Sequence, residues 1–149
     1  PKYFNKAYVT VTAAAKMLSH AHFGEPREVM GLLQGSYHEE LGRGVFVVTD
    51  VIFLPVESSE TRVTADDETY TLIAAYTDWT SRIGTHNIVG WYHSHPSFGC
   101  WLSGIDVNTQ ELFQKSADPF LAIVVDPIKS TNLQKVDMAA FRVHPTGYK

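Results

Sequence analysis

Two histidines, a serine and an aspartate fall within one short segment, GWYHSHPSFGCWLSGID, which spans residues 90–106. His93 and His95 are two positions apart, so on a β-strand their side chains would point to the same face and could converge on one ion. Pro96 would end that strand, and Asp106 follows far enough along the chain for a turn to bring its carboxylate back. Two imidazoles and a carboxylate are ligands that zinc accepts, and three protein ligands leave a fourth position open, as in catalytic zinc sites.

The same residues also have structural interpretations. A histidine at a strand end is usually a hydrogen-bonded polar residue. Ser103 and Asp106 have the spacing of a capping box, in which the serine caps a helix and the acid bonds back to the backbone. On that interpretation Asp106 is a helix cap and not a ligand, although a helix start also fixes hydroxyl and carboxylate positions. The residues alone leave both interpretations open.

A hydrolase built on such a site also needs a group that moves a proton. Glu28, in the segment PREVMGLL, stands at the start of an apolar run, where packing gives no reason for an acid. A carboxylate beside a metal-activated water can take its proton and pass it to the leaving group. The structural alternative is a solvated carboxylate at the start of a strand.

The surrounding sequence predicts the elements that would position these residues. Residues 57–67 read as a loop, and the segment IKSTNLQ reads as a polar connection. Apolar runs predict strands at 7–11, 28–37, 44–56, 87–95, 120–127 and 136–143, and helical spacing predicts helices at 12–24, from 66 or 67 to 83, and at 103–116. The resulting order, β-α-β-β-α-β-α-β-β, favours an α/β or α+β domain with helices against a central sheet.

Composition excludes several classes of function. The chain has 149 residues, 44% hydrophobic and 19% charged, which fits one globular domain. A net charge of -4 without a basic tract argues against nucleic acid as a partner, and no apolar stretch is long enough for a membrane span. The single cysteine, Cys100, rules out an internal disulfide and a multi-cysteine zinc site. Because the sequence lacks an initiator Met, we expect residues 1–149 to be a single domain of a longer protein.

The segment around Glu28 and residues 90–106 together resemble the signature of the JAMM (MPN-plus) metalloprotease family. That signature is an upstream Glu, then H-S/T-H-P, six residues, Ser, two residues and Asp, and this sequence matches it without a departure. The resemblance runs from YVTV near the start to AFRVHPTGYK at the end. It implies an MPN/JAMM-type domain, with a central mixed β-sheet flanked by helices.

The resemblance also implies an activity and a role for each residue of the signature. It implies one zinc ion bound by His93, His95 and Asp106. Glu28 would be the general acid/base, and Ser103 would steady the oxyanion of the tetrahedral intermediate. The implied reaction is hydrolysis of the isopeptide bond between a lysine side chain and the C-terminal glycine of ubiquitin or a ubiquitin-like protein.

Two subfamilies share the pattern GWYHSHPxxGCWLSGxD: the catalytic subunit of the signalosome, which removes a ubiquitin-like modifier from cullins, and the proteasome-lid deubiquitinase. The segments ESSETRVTADD and RVHPTGYK resemble the signalosome subunit more closely. In that subunit a loop with Glu-Thr-Arg can close over the zinc and keep the enzyme inactive, and Glu60 and Arg62 are the matching positions. Ser97, at a position that the pattern leaves open, is a local difference, since the two subfamilies mostly have Gly there.

The partners implied are a ubiquitin-like modifier conjugated to cullin and a catalytically inactive MPN-domain sister subunit within a multi-subunit complex. The implied location is the cytoplasm and nucleus. Two alternatives stay open, a proteasome-lid-type deubiquitinase and a non-catalytic MPN scaffold subunit. A zinc deaminase is excluded because its P-C-x-x-C signature needs more than one cysteine, and a barrel-type amidohydrolase would need a considerably longer chain.

Overall fold

A computed structural model of the chain describes residues 4–40, 43–55, 67–83 and 87–144. Glu60 and Arg62, the predicted regulatory pair, lie outside these residues. No helix within the described ranges has the length and apolar character needed to cross a membrane. In chain order the elements are β1 Lys6–Val9, α1 Val11–Gly24, β2 Met30–Glu40, β3 Arg43–Phe53, α2 Asp67–Ile83, β4 Asn87–Ser94, α3 Gly104–Ala117, β5 Leu121–Val125, α4 Pro127–Leu133 and β6 Met138–Phe141.

The six strands form one mixed sheet in the order β1-β3-β2-β4-β5-β6. The β1–β3 and β4–β5 pairs are parallel, and the other neighbours are antiparallel. The predicted central mixed sheet with flanking helices is therefore confirmed. Strand β2, which begins two residues after Glu28, and strand β4, which contains His93 and ends just before His95, lie side by side at the centre of this sheet.

Apolar side chains fill both faces of the sheet, because successive residues of a strand point to opposite sides. Leu33 and Tyr92 pack on the face covered by α1. Their neighbours Leu32 and Trp91 pack on the opposite face, against Phe113 of α3 and residues of α2. Since the first half of β2 and most of β4 are buried on both sides, residues 30–33 and 88–92 form nearly continuous apolar runs rather than alternating ones. The site at the ends of these strands therefore rests on the most buried part of the fold.

The first predicted strand, residues 7–11, is too long at its end. Thr10 is the N-cap of α1, and its hydroxyl accepts a hydrogen bond from the backbone N–H of Ala13 at 3.2 Å. A threonine cap satisfies one of the free N–H groups at a helix start. The chain therefore turns from strand to helix at Thr10, and Val11 is the first helical residue rather than the last strand residue.

The prediction that IKSTNLQ is a polar connection is wrong, because Pro127–Leu133 form helix α4. Asp126 caps this helix by accepting a hydrogen bond from the N–H of Lys129 at 2.9 Å, and Pro127 occupies the first turn. An Asp-Pro pair is a helix-start signal. The helix was not predicted because it is short and its apolar residues have no helical periodicity.

Candidate metal centre

The sheet register brings the signature residues together. His93, 0% exposed, pairs with Met30 of β2, and His95 follows immediately after β4. Trp91, His93 and His95 follow one another at intervals of two positions, so the two histidines point to the same face as Trp91, the face on which α3 packs. Asp106 is in the first turn of α3. The three side chains are buried and form a group that could hold a metal ion. Their role as ligands stays a prediction.

The spacing of the donor atoms fits one small cation. Nε2 of His93 is 3.1 Å from Nε2 of His95, and Oδ2 of Asp106 is 3.4 Å from the first and 3.7 Å from the second. Ligands about 2.0–2.2 Å from a tetrahedral zinc stand about 3.3–3.6 Å from one another. The observed separations bracket that range, so two imidazoles and a carboxylate are already arranged as zinc would require.

The capping box predicted at the start of α3 is present. The backbone N–H of Ser103 donates to Oδ2 of Asp106 at 2.7 Å, and the N–H of Asp106 donates to the hydroxyl of Ser103 at 3.2 Å. Oδ2 is also the atom that faces the two histidines. The cap and ligand interpretations of Asp106 are therefore compatible, because the helix cap holds the same oxygen toward the candidate site.

A backbone carbonyl fixes the orientation of the His95 ring. Nδ1 of His95 lies 3.0 Å from the carbonyl oxygen of Gly99. A carbonyl can only accept, so Nδ1 carries the hydrogen, and Nε2 of the neutral ring presents its lone pair to the site. Ligand histidines in metal sites are commonly held in this way through their other nitrogen.

Asp126 holds the loop that supplies this carbonyl. Its side chain, 0% exposed, accepts hydrogen bonds from the N–H of Ser97 at 3.2 Å and of Gly99 at 2.9 Å. Asp126 therefore links the end of β5 to His95. Asp126 was not among the predicted site residues, although an acid directly after a buried apolar strand is a signal for a specific polar contact.

Ser97 and Gly99 both have positive φ angles, 71° and 79°. This is the left-handed region, which glycine enters freely and which costs other residues about 1 kcal/mol. The turn after Pro96 therefore accounts for the glycine common at position 97 in the resembling sequences. Ser97 adopts the same region at that cost, and the bond from its N–H to Asp126 offsets part of it.

Glu28 reaches the site because the pairing of β2 with β4 continues before Met30, the first residue of β2. The N–H of Val29 donates to the hydroxyl of Ser94 at 2.9 Å, and the N–H of Ser94 donates to the carbonyl of Val29 at 3.0 Å. This pair places Glu28 opposite His95, with Oε1 of Glu28 3.7 Å from Nε2 of the histidine. The carboxylate is 18% exposed and stands beside the candidate metal ligands. Ser94 was not among the predicted site residues, because its side chain alternates away from the two histidines.

The charged groups of the site affect one another's protonation. Burial acts to raise the pKa of Asp106, but hydrogen bonds with His93 and His95 outweigh it and hold that pKa well below the usual range. Burial acts to lower the pKa of His95, but the contacts with Asp106, Glu28 and the Gly99 carbonyl together raise it. The carboxylate of Asp106 therefore stays ionised at neutral pH, as a metal ligand must. A proton must leave His95 before its Nε2 binds a cation, so cation affinity falls as the pH falls.

Cys100 is not a competing nucleophile. Burial, together with the nearby Asp137 and Asp126 charges, raises the pKa of its thiol to about 11. The reactive form of a cysteine is the thiolate, so this side chain stays protonated and unreactive at neutral pH. Trp101 is half exposed and presents its ring to His95, with centroids 5.4 Å apart, so it forms a wall of the site.

Comparisons with known proteins identify the family of this chain. The family model described as JAB1/Mov34/MPN/PAD-1 ubiquitin protease matches residues 2–119. The chain is 49% identical to COP9 signalosome complex subunit 5 of Gibberella zeae, 44% to subunit 5a of Arabidopsis thaliana and 45% to subunit 5 of Caenorhabditis elegans. These alignments cover 100% of the chain but 43%, 41% and 40% of the relatives, so the chain spans about two fifths of their length. Because this family model matches most of the chain, the chain belongs to the JAB1/Mov34/MPN/PAD-1 ubiquitin protease family.

Proposed function

We propose that this chain is the catalytic domain of a zinc-dependent isopeptidase that removes a ubiquitin-like modifier from a substrate lysine. The observation that carries the proposal is the buried cluster of His93, His95 and Asp106 with the carboxylate of Glu28 3.7 Å from His95. A scaffold subunit would have no need for a buried donor set with an acid beside it. The complete signature therefore favours catalysis over a scaffold role.

The three clustered side chains would hold the metal. Two imidazoles and one carboxylate suit zinc, and three protein ligands leave room for a water or substrate oxygen. Bound zinc would supply Lewis acidity, which polarises the scissile carbonyl and lowers the pKa of the attacking water. The protein orients two of these side chains by hydrogen bonds, through the Ser103 cap on Asp106 and the Gly99 carbonyl on His95.

Glu28 would move the proton. Its Oε1 takes a proton from the water as the water oxygen attacks the isopeptide carbonyl carbon. When the C–N bond breaks, the same oxygen delivers the proton to the departing Nζ of the substrate lysine. Its position at the edge of the ligand cluster, partly open to solvent, suits a group that must meet both water and substrate.

Ser103 would stabilise the oxyanion. Its Oγ uses a lone pair to accept from the N–H of Asp106, which leaves the hydroxyl hydrogen to donate. A donor already held by a helix cap needs little reorganisation when negative charge develops on the carbonyl oxygen. The cap therefore orients both the metal ligand and the oxyanion donor.

We further propose that the modifier is removed from cullin and that the chain works beside a catalytically inactive MPN-domain sister subunit, in the cytoplasm and nucleus. The support is the similarity to proteins named as signalosome subunits and the resemblance of the segment with Glu60 and Arg62 to the signalosome loop. On this proposal that segment regulates access to the metal.

The test is a cleavage assay that compares cullin carrying the ubiquitin-like modifier with ubiquitin chains, using the zinc-loaded protein within its assembled complex. We expect release of the modifier from cullin and little cleavage of ubiquitin chains. Cleavage of ubiquitin chains alone would overturn the cullin assignment in favour of a proteasome-lid-type deubiquitinase. A zinc-loaded complex that cleaves neither substrate would overturn the proposed activity.

Replacing Ser94 by Ala should lower the turnover rate without removing the metal. The change deletes the acceptor for the Val29 N–H and loosens the backbone beside Glu28, and a displacement of about 1 Å can cost up to about a hundredfold in rate. Ser94→Thr keeps the Oγ, fits the H-S/T-H-P signature and should retain most of the rate. Turnover and zinc content are measured on both variants. Equal rates for Ser94→Ala and the parent would show that this contact does not position Glu28.

A further inference from the structure

The two histidines of the candidate metal centre are held differently. His95 has the Gly99 carbonyl on its Nδ1. His93 is 0% exposed, and within the described part of the chain its Nδ1 has no hydrogen-bond partner. Metal-ligating histidines usually have such a partner, which fixes the ring. Among the described residues, the contact that restrains the His93 ring is therefore of another kind.

That contact is the ring of Trp91. Its plane lies 16° from that of His93, with the centroids 4.8 Å apart, and it is itself 1% exposed. Stacking restrains the tilt of the imidazole, but it does so only if the indole is fixed. The indole N–H donates to Oε1 of Gln110 at 2.8 Å, and this bond fixes it.

Three hydrogen bonds, the first of them from Trp91, fix the side-chain amide of Gln110. Its Nε2 donates to the carbonyl of Phe120 at 2.8 Å and to Oε1 of Gln114 at 2.9 Å. The indole can only donate and the carbonyl can only accept, so the orientation of the amide is determined. Gln110 is 0% exposed and lies on α3 four residues after Asp106, which places both side chains on one face of the helix.

We propose that Gln110 is a positioning residue for the metal centre. It connects the helix that carries Asp106 to the strand that carries His93, through the indole of Trp91. The link sets the distance between two ligands that come from different elements, and it restrains His93, whose Nδ1 has no hydrogen-bond partner among the residues that the structure describes. This inference rests on the proposed zinc site, and it adds a residue outside the signature to the set that determines metal affinity.

Zinc affinity, measured by competition with a chromophoric chelator on the 149-residue chain, tests this proposal without an activity assay. Gln110→Met keeps the shape of the side chain but deletes its three hydrogen bonds, and we expect zinc affinity to fall about 10- to 100-fold, the usual scale for a residue that supports a ligand. Gln114→Met is the matched control. It deletes three hydrogen bonds one turn along the same helix, those with Gln110 and with the backbone of Val143, without touching Trp91.

The control should destabilise the fold but lower zinc affinity far less than Gln110→Met does, because Gln110 keeps its hydrogen bonds with Trp91 and Phe120. Should Gln110→Met fail to fold, Trp91→Phe keeps an aromatic ring beside His93 but removes the N–H, and it should also weaken zinc binding. Parental affinity in a folded Gln110→Met or Trp91→Phe chain, or an equal loss in Gln114→Met, would overturn the inference. A parent chain that takes up no zinc would instead overturn the proposed function on which it rests.

Discussion

Replacing Glu28 by Gln should leave zinc bound and lower the turnover rate by at least about a hundredfold, the scale expected for the loss of a general acid/base. Glutamine has nearly the same shape, so it can occupy the position opposite His95 and disturb neither strand. It cannot accept the proton of the attacking water or return it to the lysine amine. The rate is measured on modifier-conjugated cullin, and zinc content is measured on the same samples.

Glu39→Gln is the control for this experiment. Glu39 is an exposed acid near the other end of β2, so the same chemical change there alters the net charge equally without reaching the site. We expect parental turnover for Glu39→Gln. A fully active Glu28→Gln variant would show that another group moves the proton. A variant without zinc would show that Glu28 supports the metal rather than the chemistry.

The candidate site was largely predictable because the relative positions of its side chains depend on short separations along the sequence. His93 and His95 are two apart, which places them on one face of any strand, and Ser103 and Asp106 are three apart, which is the spacing of a helix cap. Each relation holds whatever the rest of the chain does. The structure adds that one oxygen of Asp106 serves both the cap and the cluster, which spacing alone left undecided.

The supporting residues were not predictable, since their roles depend on contacts between distant parts of the chain. Asp126 accepts a hydrogen bond from Gly99, which is 27 residues earlier in the chain. Gln110 contacts Trp91 only because α3 packs on the sheet. The place of Asp126 after a buried strand signals a polar contact but does not identify its partner, and nothing in the local sequence distinguishes Gln110 from any other core glutamine. The position of Glu28 is intermediate, because the apolar run predicted its strand but only the register with Ser94 places it opposite His95.

The fold was predictable for a related reason. The strands β4 and β5 and the first half of β2 are apolar runs, and α1 to α3 have helical spacing or clear ends, so tertiary packing had little to override. Helix α4 has neither feature and depends on Asp126, whose other oxygen holds the loop after His95. The one missed helix therefore begins at a residue that also supports the candidate metal centre.

Asp106→Asn should abolish tight zinc binding while it keeps the fold. The side-chain oxygen of asparagine at this third helical position can still accept from the N–H of Ser103. Loss of a negative charge in the first turn of a helix costs up to about 1 kcal/mol, so the unfolding free energy of the metal-free chain should change by about that much. The neutral amide lacks the charge that Asp106 keeps at neutral pH because of its contacts with His93 and His95. We expect zinc affinity to fall by more than about a hundredfold, beyond the range typical of residues that only support a ligand.

Ser103→Ala should give the opposite pattern. It removes the hydroxyl half of the cap and should cost about 1 kcal/mol of stability, but it leaves the Asp106 carboxylate and its bond from the Ser103 backbone N–H in place. Zinc should therefore remain bound, while the turnover rate falls on the order of a hundredfold through loss of the oxyanion donor. Zinc affinity by chelator competition and stability by chemical denaturation are measured on both variants. If Asp106→Asn binds zinc as tightly as the parent, Asp106 is a helix cap alone, and the third ligand must come from another residue.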